Sequence, residues 1–416
     1  MATTIKTASL YQFLFAICLV IPYFNIYELT FVVWSMSALI TLQKNYSLSI
    51  LKQLACFAAI LLIAVVVMFF KDHQTYFIIR DFTYVVKPVF GLLIGYQLCK
   101  KFPGRAFQTI IYIALFIAAY HFFLIATGIL LFKTLTVNDL RFYAGYFSDF
   151  EVYALIILVF HKKFGLKFSR KKTLLYTVII TISTFMYLAR TNFIQFVILF
   201  MALKGYFEVN RRLITVLITF ITVTAIGYSA ILYINPKRNG AGIEAFLYKI
   251  KVAPIEPFKT KINRENWKDL NDNYRSYENI MTTRQVSRDG FYSILFGQGL
   301  GSQVDLKQKI WLGDMELRYI SILHNGFMTV FLKSGLLGVF FLLMSIFLLF
   351  RLQKTDVPII QQINYLMVGS GLFLFVSYWV FMGYYFVADT KAIVIGFLIC
   401  YRELVLKNDA KLLQND

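Results

Sequence analysis

Apolar runs of roughly membrane-spanning length recur along almost the whole chain, and no other feature narrows its fold so far. Twelve of them fall at roughly 9–23, 26–42, 53–70, 76–98, 106–132, 148–161, 173–189, 193–206, 213–234, 320–350, 359–383 and 388–406. A helix needs about 20 apolar residues to cross the hydrocarbon core. The runs are too continuous for the alternating ten-residue strands of an outer-membrane barrel. Hydrophobic residues make up 59% of the 416 and charged ones 15%, against about 45–50% and 25% in soluble domains. A soluble enzyme, a disordered chain and a collagen-like chain are thereby excluded. The reading is an all-α polytopic membrane protein of about twelve transmembrane helices. The sixth and eighth runs are short, so tilted or incomplete crossings are expected there.

Lys and Arg set the orientation. With the N-terminus in the cytoplasm, twenty of them fall on inner segments: Lys6, Lys44, Lys52, Lys100, Lys101, Arg105, Lys162, Lys163, Lys167, Arg170, Lys171, Lys172, Lys204, Arg211, Arg212, Arg351, Lys354, Arg402, Lys407 and Lys411. Five fall on short outer loops: Lys71, Lys133, Arg141, Arg190 and Lys391. Both termini are therefore expected inside. Lys6 ahead of an apolar stretch resembles a signal-peptide start, but no small-residue cleavage pattern follows, so Leu10–Ile21 reads as a retained span. The net charge of +20 is spread between apolar runs and forms no single patch, which argues against nucleic acid as a partner. Cys18, Cys56, Cys99 and Cys400 lie in or beside apolar runs without metal-ligand spacing, and no disulfide framework is suggested.

One long polar stretch interrupts the pattern and divides the chain into 1–234, a loop at 235–320, and 321–416. The loop has 86 residues, with 14 Lys/Arg and 10 Asp/Glu. Structureless loops of that length are uncommon unless functional or disordered. Trp267, Tyr274, Tyr277, Phe291, Tyr292 and Trp311 argue for a folded cap with short helices. Asn271-Asp272-Asn273 is a plausible N-cap for a helix through Met281. A solvated loop without chemistry is the competing expectation.

Ionisable residues in or beside spans are costly in lipid and mark function by default. Arg80 and Lys87 lie seven apart, two turns of one helix face, with Asp81 and Pro88 beside them. They read as a cationic stripe entering a cavity, or as an interfacial Arg with one deep Lys. Arg190 sits between two apolar runs at the outer side, as an anion contact or a headgroup anchor. His324 stands at the end of the loop in Leu323-His324-Asn325-Gly326 and can take a proton near neutral pH; anchoring the tenth helix is the plainer reading. His121 reads as a packing residue. Gly297, Gly299 and Gly301 lack the Lys-Ser/Thr of a phosphate loop and read as a flexible turn. Arg275 and Glu278, at i and i+3, can simply pair. There is no metal-ligand pattern.

His324-Asn325, nine residues, then Gly335-Leu336-Leu337-Gly338 resembles the H-N-x9-G-x-x-G signature of the O-antigen ligase and polymerase superfamily. Leu188-Ala189-Arg190-Thr191 is similar to that family's Ser/Thr-Arg at the outer end of a central span, with Ala189 in place of the usual hydroxyl residue. Arg275 precedes Leu295-Phe296-Gly297-Gln298-Gly299-Leu300-Gly301, which resembles the family's stretch before the histidine. The resemblance implies a GT-C-like, metal-independent, inverting glycosyltransferase of the bacterial inner membrane, without a cofactor, its active site facing the periplasm. The implied donor is an undecaprenyl-pyrophosphate-linked glycan. The implied acceptor is another lipid-linked repeat in a polymerase, or lipid A-core in a ligase. A chain-length regulator is a further expected partner.

On that reading Arg190 and Arg275 stabilise the leaving pyrophosphate and His324 is the general base. Arg80, Lys87 and Asn325 are substrate contacts. Arg80-Asp81 through Gly95-Tyr96 looks like segments common in the polymerases, which favours polymerase over ligase. A flippase for the same lipid-linked sugars also fits twelve spans with intramembrane cations, but such a carrier holds its key charges near the midplane and commonly shows internal repeats.

Overall fold

The computed structural model describes residues 2–131, 133, 137–208, 211–238, 243–252, 256, 259–312, 315–353 and 355–413. Ten helices come first: α1 (Ala2–Val20), α2 (Tyr27–Ile40), α3 (Leu48–Met68), α4 (Thr75–Cys99), α5 (Ala106–Leu130), α6 (Val137–Ala144), α7 (Asp149–Val159), α8 (Arg170–Met186), α9 (Arg190–Leu203) and α10 (Arg211–Ile234). Shorter elements follow: α11 (Ile243–Val252), α12 (Trp267–Asp272), α13 (Tyr274–Arg288), α14 (Phe291–Phe296), and a hairpin of β1 (Val304–Leu312) and β2 (Met315–Ile320). Then come α15 (Gly326–Phe347), α16 (Pro358–Val380) and α17 (Lys391–Leu413).

Each of the twelve apolar runs contains a helix. Four helical stretches, Leu48–Met68, Pro103–Leu130, Gly326–Phe350 and Pro358–Val380, are long and apolar enough to cross a membrane on length and composition alone. Leu39, Leu62, Phe123, Ile226 and Phe340 are exposed around the bundle, as a lipid-facing surface requires. The chain is a mostly helical membrane protein. Position 132, at the end of the fifth run, and Lys354 lie outside the described residues, as do the side chains of Lys6, Arg211, Arg212 and Lys411 from the charge count.

Local chemistry sets the helix starts. Ser47, Ser148 and Ser169 each accept a backbone N–H from the first turn of α3, α7 and α8, satisfying donors the helix cannot pair itself. Pro358 opens α16, where its missing N–H costs nothing. At the centre, α4 and α17 touch backbone to backbone. A Cβ on Gly95 would stand 1.9 Å from the Ile393 carbonyl oxygen, and one on Gly396 2.1 Å from that of Leu92. Small residues at such crossings are how membrane helices gain packing energy. Around this seam Phe15, Phe102 and Phe107 gather on Phe397. The four cysteines are free and buried.

The polar segment builds a cap with its own core. Leu270, Tyr274, Tyr277, Met281, Val286, Val304, Leu306, Ile310, Ile320 and Leu323 pack together, joined by Leu332 of α15. Burying each aliphatic side chain contributes about 1.5–3 kcal/mol, and sharing Leu332 roots the cap on α15.

The cap departs from expectation in four ways. It holds an antiparallel hairpin as well as helices, with Val304 opposite Ile320 and Trp311 opposite Glu316, so the fold is not purely α. Val304, Leu306 and Ile310 turn inward while Lys307 and Lys309 are exposed, a two-residue alternation that favours strand. The central cap helix runs to Arg288, and Asn273 at its start turns its amide back onto Asp269 instead of capping forward. Gly297 and Gly299 do not form a loose turn. Their backbones lie against Lys333–Ser334 and Met68, too close for any side chain, so this segment is clamped. The tenth helix begins at Gly326, because β2 runs to Ile320 and Asn325 takes the N-cap.

Candidate functional site

The site forms where the cap meets the start of α9, the start of α15 and the α16–α17 connection. His324 precedes α15. Asn325 caps that helix by accepting the Met328 N–H at 3.1 Å, which fixes the backbone next to the histidine. The His324 carbonyl accepts the Met382 N–H at 2.9 Å. Its own N–H donates to Glu278 Oε2 at 3.1 Å. The imidazole is thus held by its main chain from two sides.

The ring is oriented as well. His324 Nδ1 lies 3.0 Å from Glu278 Oε1. Glu278 is 1% exposed and the His324 side chain 37%. A carboxylate only accepts, so Nδ1 carries a proton, and in the neutral ring Nε2 is the acceptor. Tyr274 stacks edge-on to the imidazole with ring centroids 5.7 Å apart. Burial, with Glu278 beside it, pushes the Tyr274 phenol up, so the phenol stays neutral. A buried carboxylate behind a half-exposed histidine is the arrangement of an oriented general base.

Arg190 opens α9 and Arg275 sits in the first turn of α13. Both line one cavity with His324, together with Arg141, Glu256 and Asn279. Its volume is about 550 Å³. Tyr146, Phe147, Trp379, Phe381 and Phe386 supply aromatic walls. Arg275 stands 3.9 Å from Glu256 and not on Glu278, whose carboxylate serves His324; the expected i,i+3 pair is replaced by two others. Ala189 packs with Phe147 and Tyr187 as the apolar N-cap of α9. Three guanidinium groups, one histidine and aromatic walls suit an anionic, ring-bearing ligand.

Arg80, Lys87 and Asn325 do not line this cavity. Arg80 bonds Ser321 and lies 4.0 Å from Asp81, its guanidinium 4.9 Å from the Phe77 ring. Lys87 is buried and donates to the carbonyls of Phe386 and Val387, the latter at 2.9 Å. The expected cationic stripe is therefore not one surface: its upper end is tied to the cap and its lower end to the α16–α17 connection. Lys87 bonds the main chain of Phe386, a residue of the cavity wall. Asn325 is buried as a cap. His121 packs face to face on Tyr187 at 3.6 Å, as a packing residue.

Several charged residues escaped the reading of the sequence. Lys333, inside the tenth run, bonds Asp81 at 2.5 Å, and the same carboxylate oxygen takes the Gly301 N–H at 2.7 Å. Lys391 bonds Asp149 at 2.6 Å and also pairs with Asp389. Ionisable residues inside apolar runs are themselves the signal, and Lys333, Asp149 and Glu151 carry it. Arg141 gives no such signal, since it reads as an ordinary loop charge. Among the described residues, no three His, Cys, Asp or Glu side chains gather to hold a metal ion.

Fold and site together define a membrane protein that holds a carboxylate-oriented histidine and three arginines around one cavity. Compared with known proteins, the chain matches no family model, no curated sequence and no solved structure.

Proposed function

We propose that this chain is a glycosyltransferase of the bacterial inner membrane that polymerises undecaprenyl-pyrophosphate-linked glycan repeats. The observation that carries the proposal is the meeting of Arg190, Arg275 and His324 in one cavity, although 85 residues separate the first two and 49 the last two. The orientation that goes with it has twelve spans and both ends in the cytoplasm, and it sets the cavity at the periplasmic face, level with lipid headgroups.

The chemistry needs three things from the protein. The acceptor hydroxyl must lose a proton as its oxygen bonds to the anomeric carbon; His324 Nε2 takes it. Glu278 keeps the imidazole in the right tautomer and offsets the charge it gains. On the opposite face of the sugar, the bond from the anomeric carbon to the pyrophosphate oxygen breaks, and undecaprenyl pyrophosphate leaves with the electron pair. Arg190 and Arg275 meet the charge that develops there, and their planar forks suit phosphate oxygens. Attack opposite the leaving group inverts the anomeric centre. The activated donor supplies the driving force. Phe381, Phe386 and Trp379 offer faces for sugar rings.

A ligase using the same donor differs only in its acceptor, lipid A-core. The flippase alternative gains one observation: the buried cluster of Asp149, Asp389 and Lys391, near Lys87. Lys391 pairs with both carboxylates and Lys87 is held by loop carbonyls, which suits a brace for the cavity wall more than a moving ion site.

The test is a gel of surface and undecaprenyl-linked glycans from host cells with the gene deleted or carrying His324→Ala. Core bearing a single repeat, without a ladder, is the polymerase outcome. Bare core with long polymer on the lipid carrier means ligase. A normal ladder with His324→Ala, where deletion abolishes it, contradicts the base assignment and favours the carrier.

A further inference from the structure

A second cleft lies on the far side of α13 from the catalytic cavity. Arg275 and Asn279 face the cavity, whereas Tyr277, Ile280, Met281 and Arg284, at helical spacings of three, four and seven, line the cleft. Its volume is about 520 Å³. Lys259, Lys261, Arg264 and Arg284 stand round it with one carboxylate, Asp269. That carboxylate is already engaged by Lys259 and by the Asn263 N–H. Among the described residues, no carboxylate comes within ion-pair distance of Lys261, Arg264 or Arg284. Arg264 lies over the Tyr277 ring at 5.6 Å and touches the Met281 sulfur at 3.8 Å, which holds its guanidinium at the cleft.

Lys261, Arg264 and Arg284, gathered without a carboxylate of their own, repel one another, and an anion relieves that repulsion. Guanidinium forks match carboxylates and phosphates. Below them partly exposed Ile280 makes an apolar wall, with Tyr277 and Met281 buried in the cap core behind it. A neutral glycan makes no use of three unpaired cations. We infer that this cleft is a second glycan subsite, which takes carboxylate- or phosphate-bearing sugars of a chain whose reacting end lies at His324. The inference rests on the glycosyltransferase reading above. The glycan passes round α13, about 10–12 Å across with its side chains.

The experiment uses the full-length protein in nanodiscs of neutral phosphatidylcholine, at about 0.15 M salt, where charges beyond roughly 8 Å are screened. The probes are fluorescent hexagalacturonate and, as neutral control, maltohexaose. Wild-type protein and His324→Ala are expected to bind hexagalacturonate alike, and maltohexaose at least tenfold more weakly. Arg264→Glu with Arg284→Glu is expected to weaken hexagalacturonate binding at least tenfold. If that pair fails to fold, Arg264→Gln with Arg284→Gln is expected to weaken it at least threefold. Unchanged binding by a folded variant, or equal binding of both probes, overturns the inference. So does an effect seen only on flotation with phosphatidylglycerol vesicles, which makes the cleft a membrane contact. Anionic-glycan binding by a protein that transfers no sugar overturns the transferase reading and not the cleft. Transfer without cleft-dependent binding overturns the cleft alone.

Discussion

Glu278 Oε1 lies 3.0 Å from His324 Nδ1, and the two residues are 46 apart in sequence. The pair joins the central cap helix to the start of α15. It also fixes which imidazole nitrogen faces the cavity. Glu278→Gln presents an amide that can settle with its NH₂ toward Nδ1, stabilising the wrong tautomer. Turnover is expected to fall about 10²–10⁴-fold. KM should change far less than kcat, because Glu278 lies behind the histidine and away from the cavity. Glu278→Asp should recover part of the rate. Steady-state kinetics of the three proteins checks this, and a loss confined to KM argues against a positioning role.

On the proposed reading Arg190 and Arg275, which line one cavity, serve one leaving group, so their effects should not add. Arg190→Ala and Arg275→Ala are each expected to lower kcat about 10²–10³-fold, the scale for removing one preorganised donor to developing charge. The double variant should fall well short of the product of the two. Arg275→Lys should restore charge but not the bidentate fork, and regain little. Strict additivity in the measured rates would separate the two residues into independent sites.

Lys333 and Asp81 are both fully buried, and their ion pair ties α15 to α4. Lys333→Met leaves the buried carboxylate with only the Gly301 N–H and Arg80 at 4.0 Å, at a cost of about 3–5 kcal/mol. Adding Asp81→Asn should return most of that loss. Thermal unfolding in detergent, with wild type, both singles and the double, closes the cycle.

Asp305 gives a pH signature in the cap. Arg318, at 2.9 Å, and Lys307 hold its carboxyl below the usual range. The folded state therefore favours the charged form. Its stabilisation is present above the unfolded value of about 3.9 and is lost as pH falls through the depressed one. Asp305→Asn should lower hairpin protection at pH 7, and the difference should fade below about pH 4. Hydrogen exchange of the 304–320 amides against pH reads this directly. A difference that persists undiminished at low pH assigns the effect to something other than charge.

Much of the architecture was legible from periodicity and length. All twelve apolar runs hold helices, the form in which an apolar segment pairs its own backbone groups. The motif around His324, Asn325 and Gly335 singles out a histidine that lines one cavity with Arg190 and Arg275. Gly335 shows why such a pattern is physical: its φ is 63°, and a Cβ there would stand 2.3 Å from the Leu295 carbonyl carbon. The hairpin was legible but missed, since Val304-Asp305-Leu306-Lys307 alternates with period two. Partner choice was not legible. Glu278 could pair with Arg275 one turn away, yet it serves His324, and only the packing of α13 on α15 decides that. Lys87 and Arg80 share a helix, but the elements packed against them send one to the α16–α17 connection and the other to the cap.

The central claim is tested most directly by transfer with purified protein. A synthetic undecaprenyl-pyrophosphate-linked repeat is supplied as both donor and acceptor, in chelator-treated buffer, and the new linkage is read by NMR. The account predicts a longer lipid-linked glycan with an inverted anomeric centre, undecaprenyl pyrophosphate released in equal amount, and no product from His324→Ala. Retained configuration, or undiminished product from His324→Ala, would contradict it.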